Sequence, residues 1–331
     1  MIQHRLDRRL VLLRGKRSGA FDPNQRFYEA AQRTRMARQL RVLLRRMQPV
    51  TIVTPRWSQA RRFLDDLSTD LMIGEPSVKC RTLSLLPLEG RTPHQAWAWL
   101  VQAVTEFCHL DLDGPAWQVV SRRGFRHVMG DLLKRAEHGE RRCLMIHGAQ
   151  HIHVEALRDL ISTLETHIAE RTGEPRFNLV LAGAVEANHF RIGGFRRLTL
   201  PDYGTEEALG NLVEHTGPQD PGLLESVVDI VGGVPAFLDV LAQDPSRLKE
   251  VLVDRDAVWR LLGSTALEVR AAVELTQTRD EAFDRLEALA RGPRPTEPLD
   301  ESLHTAGLVR FEQGQTFLRA PILADLVRSF S

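Results

Sequence analysis

Between Pro49 and Pro201 short apolar runs alternate with amphipathic stretches, and no other feature of this 331-residue chain restricts its fold so tightly. VTIVT (50–54), VKCRTLSLL (78–86), RCLMIHG (142–148) and FNLVLAGA (177–184) read as strands, and RRLTLP (196–201) as a last short one. VTIVT, with its β-branched residues, suits a buried strand. Between the strands lie helical patterns. They are SQARRFLDDLSTDLM (58–72), which Ser58 can cap, TPHQAWAWLVQAVTEFCHL (92–110), RRGFRHVMGDLLKRAEHG (122–139), ended by Gly139, and VEALRDLISTLETHIAERTG (154–173). Strands separated by helices predict a doubly wound parallel α/β sheet, in which ligands sit at the carboxyl ends of the strands.

Past Pro201 the pattern changes to helices alone: EEALGNLVEHT, PGLLESVVDIV, PAFLDVLAQD and RLKEVLVDRDAVWRLLG. A further section starts near Thr265 with two helical stretches and the polar RGPRPTEPLD (291–300). It continues into LVRFEQGQTFLRA, two apolar strands about a polar turn at Gln313–Gly314. Helices followed by such a hairpin give the outline of a winged helix. Upstream, NQRFYEAAQRTRMARQLRVLLRRM (24–47) reads as an amphipathic helix with Met36, Leu40, Leu43, Leu44 and Met47 in its apolar stripe and Pro49 as its stop. The expected division is a basic N-terminal section (1–48), an α/β core (49–202), a helical section (203–264) and a winged-helix-like section (265–331).

The formal net charge is +1, yet residues 1–62 carry 16 Arg or Lys against three acids, so the remainder is acidic. Arg33, Arg35, Arg38, Arg41, Arg45 and Arg46 form a candidate face for nucleic acid or an acidic partner. The plainer reading is a solvated arginine face balanced by the acidic half of the same chain. No apolar run approaches the roughly 18 residues of a membrane helix. The N-terminus lacks the apolar core of a secretory signal, so a cytoplasmic chain without membrane contact is expected. Its arginine richness also resembles a transit peptide, but the helix runs directly into a strand. Cys80, Cys108 and Cys143 form no C-x-x-C pair and read as reduced, buried thiols.

Four landmarks follow one another. Thr54-Pro55-Arg56-Trp57-Ser58-Gln59-Ala60-Arg61 fills a strand-to-helix slot where a Walker A loop reads G-x-x-x-x-G-K-[ST]. Thr54 and Gln59 stand at the glycines, Ala60 at the phosphate-reaching lysine and Arg61 at the metal-holding hydroxyl. A phosphate nest needs close backbone approach and positive φ, which glycine supplies cheaply. Ile146-His147-Gly148-Ala149-Gln150-His151 is similar to a Walker B strand reading LLLIDEAQHL, with His147 at the metal-binding Asp and Gly148 at the water-activating Glu. Ala182-Gly183-Ala184 ends the strand that would carry a polar sensor, and Arg196 and Arg197 follow where an arginine finger can lie. Gly232-Gly233-Val234-Pro235 resembles a G-x-P motif whose proline packs near adenine. In this order the chain resembles the AAA+ and STAND class of P-loop ATPases over nearly its whole length.

The resemblance implies a helical lid, a winged helix and a degenerate nucleotide cleft at Thr54, Ser58, Gln59, Ala60, Arg61, Gly233 and Pro235. Lysine, hydroxyl, aspartate and glutamate are replaced together, so no catalytic residue is expected. The chain reads as an inactive subunit, a scaffold or adaptor that binds a partner protein, an active ATPase or an effector, and DNA through its basic section. ATP remains open as a ligand that is not hydrolysed, no metal or other cofactor is expected, and homo- and hetero-oligomers are both open. The alternatives are three. A divergent ATPase would use Arg56, Arg61 or Arg62 on the phosphates and Glu155 as its carboxylate. A switch would bind nucleotide without turnover. A winged-helix regulator would bind DNA through Arg291, Arg294, Arg310 and Arg319. His147, His151 and His153 straddle a strand-to-loop break without a nearby Cys or acid in sequence, which argues against a metal site. Trp97, Trp99 and Trp117 read as core or interface anchors rather than a base-stacking platform.

Overall fold

The computed structural model describes residues 32–110, 121–184, 192–217 and 219–330. Trp117 and the first turns of the helix read over 24–47 lie outside them. The chain divides into two compact units, one of residues 36–200 and one of residues 201–330 with 32–35.

Among the described residues the first unit carries five strands: β1 (Val50–Val53), β2 (Val78–Ser84), β3 (Arg141–His147), β4 (Phe177–Gly183) and β5 (Arg196–Thr199). They form one sheet in the order β2-β3-β4-β1-β5, and every neighbouring pair is parallel. Alternate side chains leave each strand on opposite faces, and the core divides accordingly. Cys143 and Met145 of β3 join Val50, Ile52, Val180 and Ala182 beneath helices α1 (Gln32–Arg45) and α2 (Ala60–Gly74). Leu144 and Ile146 face the other way, with Val53, Leu179 and Leu181, under α3 (Pro93–Cys108), α4 (Arg122–Ala136) and α5 (Val154–Glu170). The doubly wound parallel sheet is therefore present. The chain leaving β1 passes beyond β4 and β3 to reach β2, whereas the chain leaving β4 crosses β1 to reach β5. That reversal makes the carboxyl ends of β1 and β4 the topological switch point, where this class of sheet opens a crevice.

Several boundaries shift for local reasons. VKCRTLSLL stops being a strand at Ser84, because the chain turns into a 3-10 helix over Leu86–Leu88 that contains Pro87. Ser58 does not cap α2: the residue before the helix is Gln59, at φ 53° and ψ 45°, and no side chain caps it. The helix read to Gly139 ends at Ala136. Thr92 caps α3 in a reciprocal pair with Gln95, whose side-chain oxygen accepts from the Thr92 N–H at 3.1 Å.

The second unit is helical: α6 (Thr205–Thr216), α7 (Pro221–Val231), α8 (Pro235–Ala242), α9 (Leu248–Val253), α10 (Arg255–Leu262), α11 (Ser264–Gln277) and α12 (Asp280–Ala290). RLKEVLVDRDAVWRLLG, read as one helix, breaks at Asp254, whose carboxylate accepts the Asp256 N–H at 2.9 Å and so starts α10. Then come β6 (Arg294–Pro295), α13 (Asp300–Thr305), β7 (Val309–Glu312), β8 (Gln315–Leu318) and α14 (Ile322–Phe330). The β7–β8 hairpin turns on Gln313 (φ 50°) and Gly314 (φ 77°), the residues singled out in the sequence, and β6 pairs with β8 as a third antiparallel strand. Asp300, fully buried, accepts from Arg285 Nε at 2.9 Å and Arg285 Nη2 at 2.8 Å, from the Thr316 hydroxyl at 2.7 Å and from the Glu297 N–H at 2.9 Å. This network ties α12, α13 and the hairpin together. Glu207 does similar work at two helix starts. Its carboxylate accepts the N–H of Arg33 at 3.2 Å, of Thr34 at 2.8 Å and of Gly204 at 3.0 Å. Among the described residues no helix is long and apolar enough to cross a membrane.

Candidate functional site

The ends of β1, β3 and β4 meet at the switch point. The Thr54 N–H continues the β1–β4 ladder by donating to the Gly183 carbonyl at 2.9 Å. Thr54 and Ser58 are buried, and the chain between β1 and α2 bends through Trp57 (φ 61°) and Gln59 (φ 53°). Two side-chain-bearing residues hold left-handed backbone here, at about 1–2 kcal/mol each. The turn keeps, at Gln59, a conformation for which glycine is the cheap residue.

Opposite stands the end of β3. Gly148 (φ 84°) starts a 3-10 turn over Ala149–His151, closed by the His151 N–H on the Gly148 carbonyl at 2.9 Å. Gly183 of β4 is needed because a Cβ there would fall 2.7 Å from both the nitrogen and the Cβ of Ala149. Gln150 Oε1 accepts the Ala184 N–H at 3.0 Å, so its side chain spans the two strand ends. His151 carries Glu89 on Nδ1 at 3.2 Å and Gln150 on Nε2 at 3.0 Å. Neither Gln150 nor Glu89 stood out in the sequence as a bridging group, because Ala184 lies 34 residues from Gln150. The available signal was the polar Gln-His pair directly after an apolar strand.

His147 is half-buried. Burial first, then the positive charge of Arg61, hold its imidazole below the ordinary value; Asp65 pulls the other way and His151 adds to the lowering. The charge of Arg61 thus reaches His147; the sequence sets these two residues at the metal-holding positions of a Walker ATPase. A neutral imidazole facing an exposed guanidinium is a poor seat for Mg²⁺, because the cation would meet a fixed positive charge instead of a carboxylate and a hydroxyl. Arg61 itself is paired loosely with Asp65, Nε to Oδ2 at 3.7 Å. The residues present do not fit a metal-bound polyphosphate. His153 faces its own helix start, accepting the Glu155 N–H on Nδ1 at 3.3 Å. Among the described residues no three His, Cys, Asp or Glu side chains gather as a metal site.

Other sequence candidates fall elsewhere. Arg196 and Arg197 pair in register with Val50 and Thr51, at the amino end of the sheet, opposite to the edge that carries Thr54 and His147. Gly233 and Pro235 belong to the second unit. There the Tyr203 N–H donates to the Gly233 carbonyl at 2.9 Å, a Cβ on Gly233 would fall 1.9 Å from the Tyr203 carbonyl oxygen, and Pro235 opens α8. The arginine face is only partly a face. Arg33 is buried, donating from Nε to the Pro201 carbonyl at 2.9 Å and lying 4.6 Å from the centre of the Tyr203 ring. Arg41 is paired with Asp70, and Arg45 with Glu75 at 2.6 Å. Arg35, Arg38 and Arg46 are exposed. Trp97 is buried and stacks on Phe125 at 6.0 Å, as a core anchor does, and Trp99 packs against the same core.

No protein-family model matches the sequence. No curated protein matches it at a significant level. Solved structures do match. A Walker-type ATPase of Pyrococcus abyssi aligns over 89% of this chain and 95% of its own, with a TM-score of 0.60 and 15% identity. A Pyrococcus horikoshii signal transduction ATPase with numerous domains (STAND), bearing a tetratricopeptide repeat sensor, aligns over 89% and 42%, with a TM-score of 0.41 and 14% identity. Cdc6p of Pyrobaculum aerophilum aligns over 94% and 96%, with a TM-score of 0.48 and 14% identity. The first of these carries the fold: the chain has the architecture of a P-loop NTPase core with helical extensions. At 15% identity the likeness is one of fold.

Proposed function

We propose that this chain is a catalytically inactive subunit on an AAA+/STAND-like ATPase fold, which works by binding a partner protein, an active ATPase or an effector. One observation carries the reading: the turn after β1 presents Gln59, Ala60 and Arg61, and β3 ends on His147 and Gly148, where a Walker ATPase needs a lysine, a hydroxyl and two carboxylates. A guanidinium cannot ligate a metal cation, follow a phosphate through transfer or activate water. The unusual backbone of Gln59 fits the same reading, since the turn keeps its shape without its lysine. The helices and the β7–β8 hairpin are read as a winged-helix-like section. Its arginines favour a protein partner over DNA: Arg310 is engaged by Glu312 at 2.7 Å and by the Phe317 ring, and Arg319 is buried against Asp202 at 2.6 Å. Cytoplasmic residence and assembly with like or unlike subunits belong to this proposal.

The test is ATP binding and turnover on the same purified sample with Mg²⁺, by calorimetry and phosphate release. Neither binding nor turnover is the expected result. Turnover abolished by Arg61→Ala or Glu155→Gln, but not by Arg38→Ala, would overturn the reading. Binding without turnover would make the chain a nucleotide-held switch. Steeply salt-dependent DNA binding would return the exposed Arg35, Arg38 and Arg46 to a phosphate-binding role.

A further inference from the structure

Cys80 and Cys143, 63 positions apart in sequence, are direct partners in the register of the parallel β2–β3 pair. Their side chains leave the sheet on the same face: Cys143 lies inside the cluster beneath α1 and α2, and Cys80 packs against that cluster. Adjacent strands run roughly 4.8 Å apart, within the range of about 4.4–6.8 Å between Cα atoms that a disulfide bridges. A hydrogen bond between the two thiols lowers Cys80 below the ordinary thiol value and raises Cys143 above it, and burial adds to the rise at Cys143. Access is asymmetric. Cys143 is fully buried, whereas Cys80 is half-buried on β2, the edge strand of the sheet. The third cysteine, Cys108, lies in the cluster on the opposite face, and burial pushes its thiol up to about 11.

We propose that Cys80 and Cys143 form a redox site in which a hydroperoxide oxidises Cys80 and Cys143 resolves the product into an intramolecular disulfide. The Cys80 thiolate attacks one peroxide oxygen, the O–O bond breaks, and an alcohol or water leaves with the second oxygen. Cys80 is then a sulfenic acid, two electrons more oxidised. The Cys143 sulfur attacks the Cys80 sulfur, the S–O bond breaks, and the hydroxyl leaves as water with the Cys143 proton. A small external thiol reverses the step by exchange at the more open sulfur, Cys80. The parallel ladder fixes both Cβ vectors, so the bridge forms under strain, which suits a labile disulfide over a permanent one. The product staples the edge strand to its neighbour, on the strand that leads to His147.

The experiment treats the reduced, folded chain with hydrogen peroxide, then alkylates it in denaturant. Free thiols are expected to fall from three to one, the intact mass to drop by two hydrogens, and peptide mapping to join Cys80 to Cys143, all reversed by dithiothreitol. Cys108→Ser should leave the bridge unchanged. Cys143→Ser should instead leave Cys80 as a sulfenic acid trapped by dimedone. Three thiols surviving, a bridge that includes Cys108, or a bridge formed only between chains would overturn the proposal. The wild-type readout stands whether or not the serine variants fold.

Discussion

The positive charge of Arg61 bears on His147 at the switch point and reinforces what burial does first, so that protonation of the imidazole is disfavoured. A histidine whose folded value is depressed contributes its full share of stability above the unfolded value of 6.5 and loses it as pH falls from there towards the folded value. Arg61→Gln is therefore expected to raise the His147 midpoint, followed by the ring Cε1–H resonance in a pH titration. An unmoved midpoint would mean that Arg61 does not bear on it.

Gly183 lets the end of β4 close on the 3-10 turn that follows β3. Gly183→Ala places a methyl 2.7 Å from Ala149, so either the strand end or the 3-10 turn must move. The expected loss is about 2 kcal/mol in urea unfolding, with the Ala184 amide losing its Gln150 partner. A variant as stable as wild type would show that the turn is slack.

Asp300 is fully buried and holds Arg285 at two points. Burial pushes its carboxyl up, but the Arg285, Glu297 and Thr316 bonds outweigh it and hold the group below its ordinary value of 3.8. Its contribution is present above 3.8 and lost as pH falls through the folded value. Asp300→Asn should cost about 3 kcal/mol at neutral pH and flatten the acid limb of the stability curve. An unaltered acid limb would place the acid sensitivity elsewhere.

Gly233→Ala is a harsher test, because the new Cβ would lie 1.9 Å from the Tyr203 carbonyl oxygen. Backbone must give way, and a loss above about 3 kcal/mol is expected in calorimetric unfolding. A mild effect would show that Tyr203 and Gly233 separate easily.

The central strands were legible because burial on two faces leaves a plain mark: VTIVT, RCLMIHG and FNLVLAGA are nearly unbroken apolar runs, and each is a strand within a residue of its expected ends. The hairpin was legible because Gln313–Gly314 is turn chemistry set between apolar runs. Other features rest on partners far along the chain. The buried Arg33 looks like its exposed neighbours in sequence and differs only because Pro201 and Tyr203 come to it. The break at Asp254 hides within a helical period, since the residue whose N–H closes one helix caps the next with its carboxylate. The meeting of Cys80 with Cys143 is decided by strand order, which spacing does not encode.

Glu207 gives one carboxylate to the first turn of α1 and to the start of α6. Neither set of amides can be released to water without loosening the other. In amide-exchange terms, Arg33, Thr34 and Gly204 are expected to open together, although some 170 residues separate the outer two along the chain. A neutral side chain at 207 would split that single event into two independent ones.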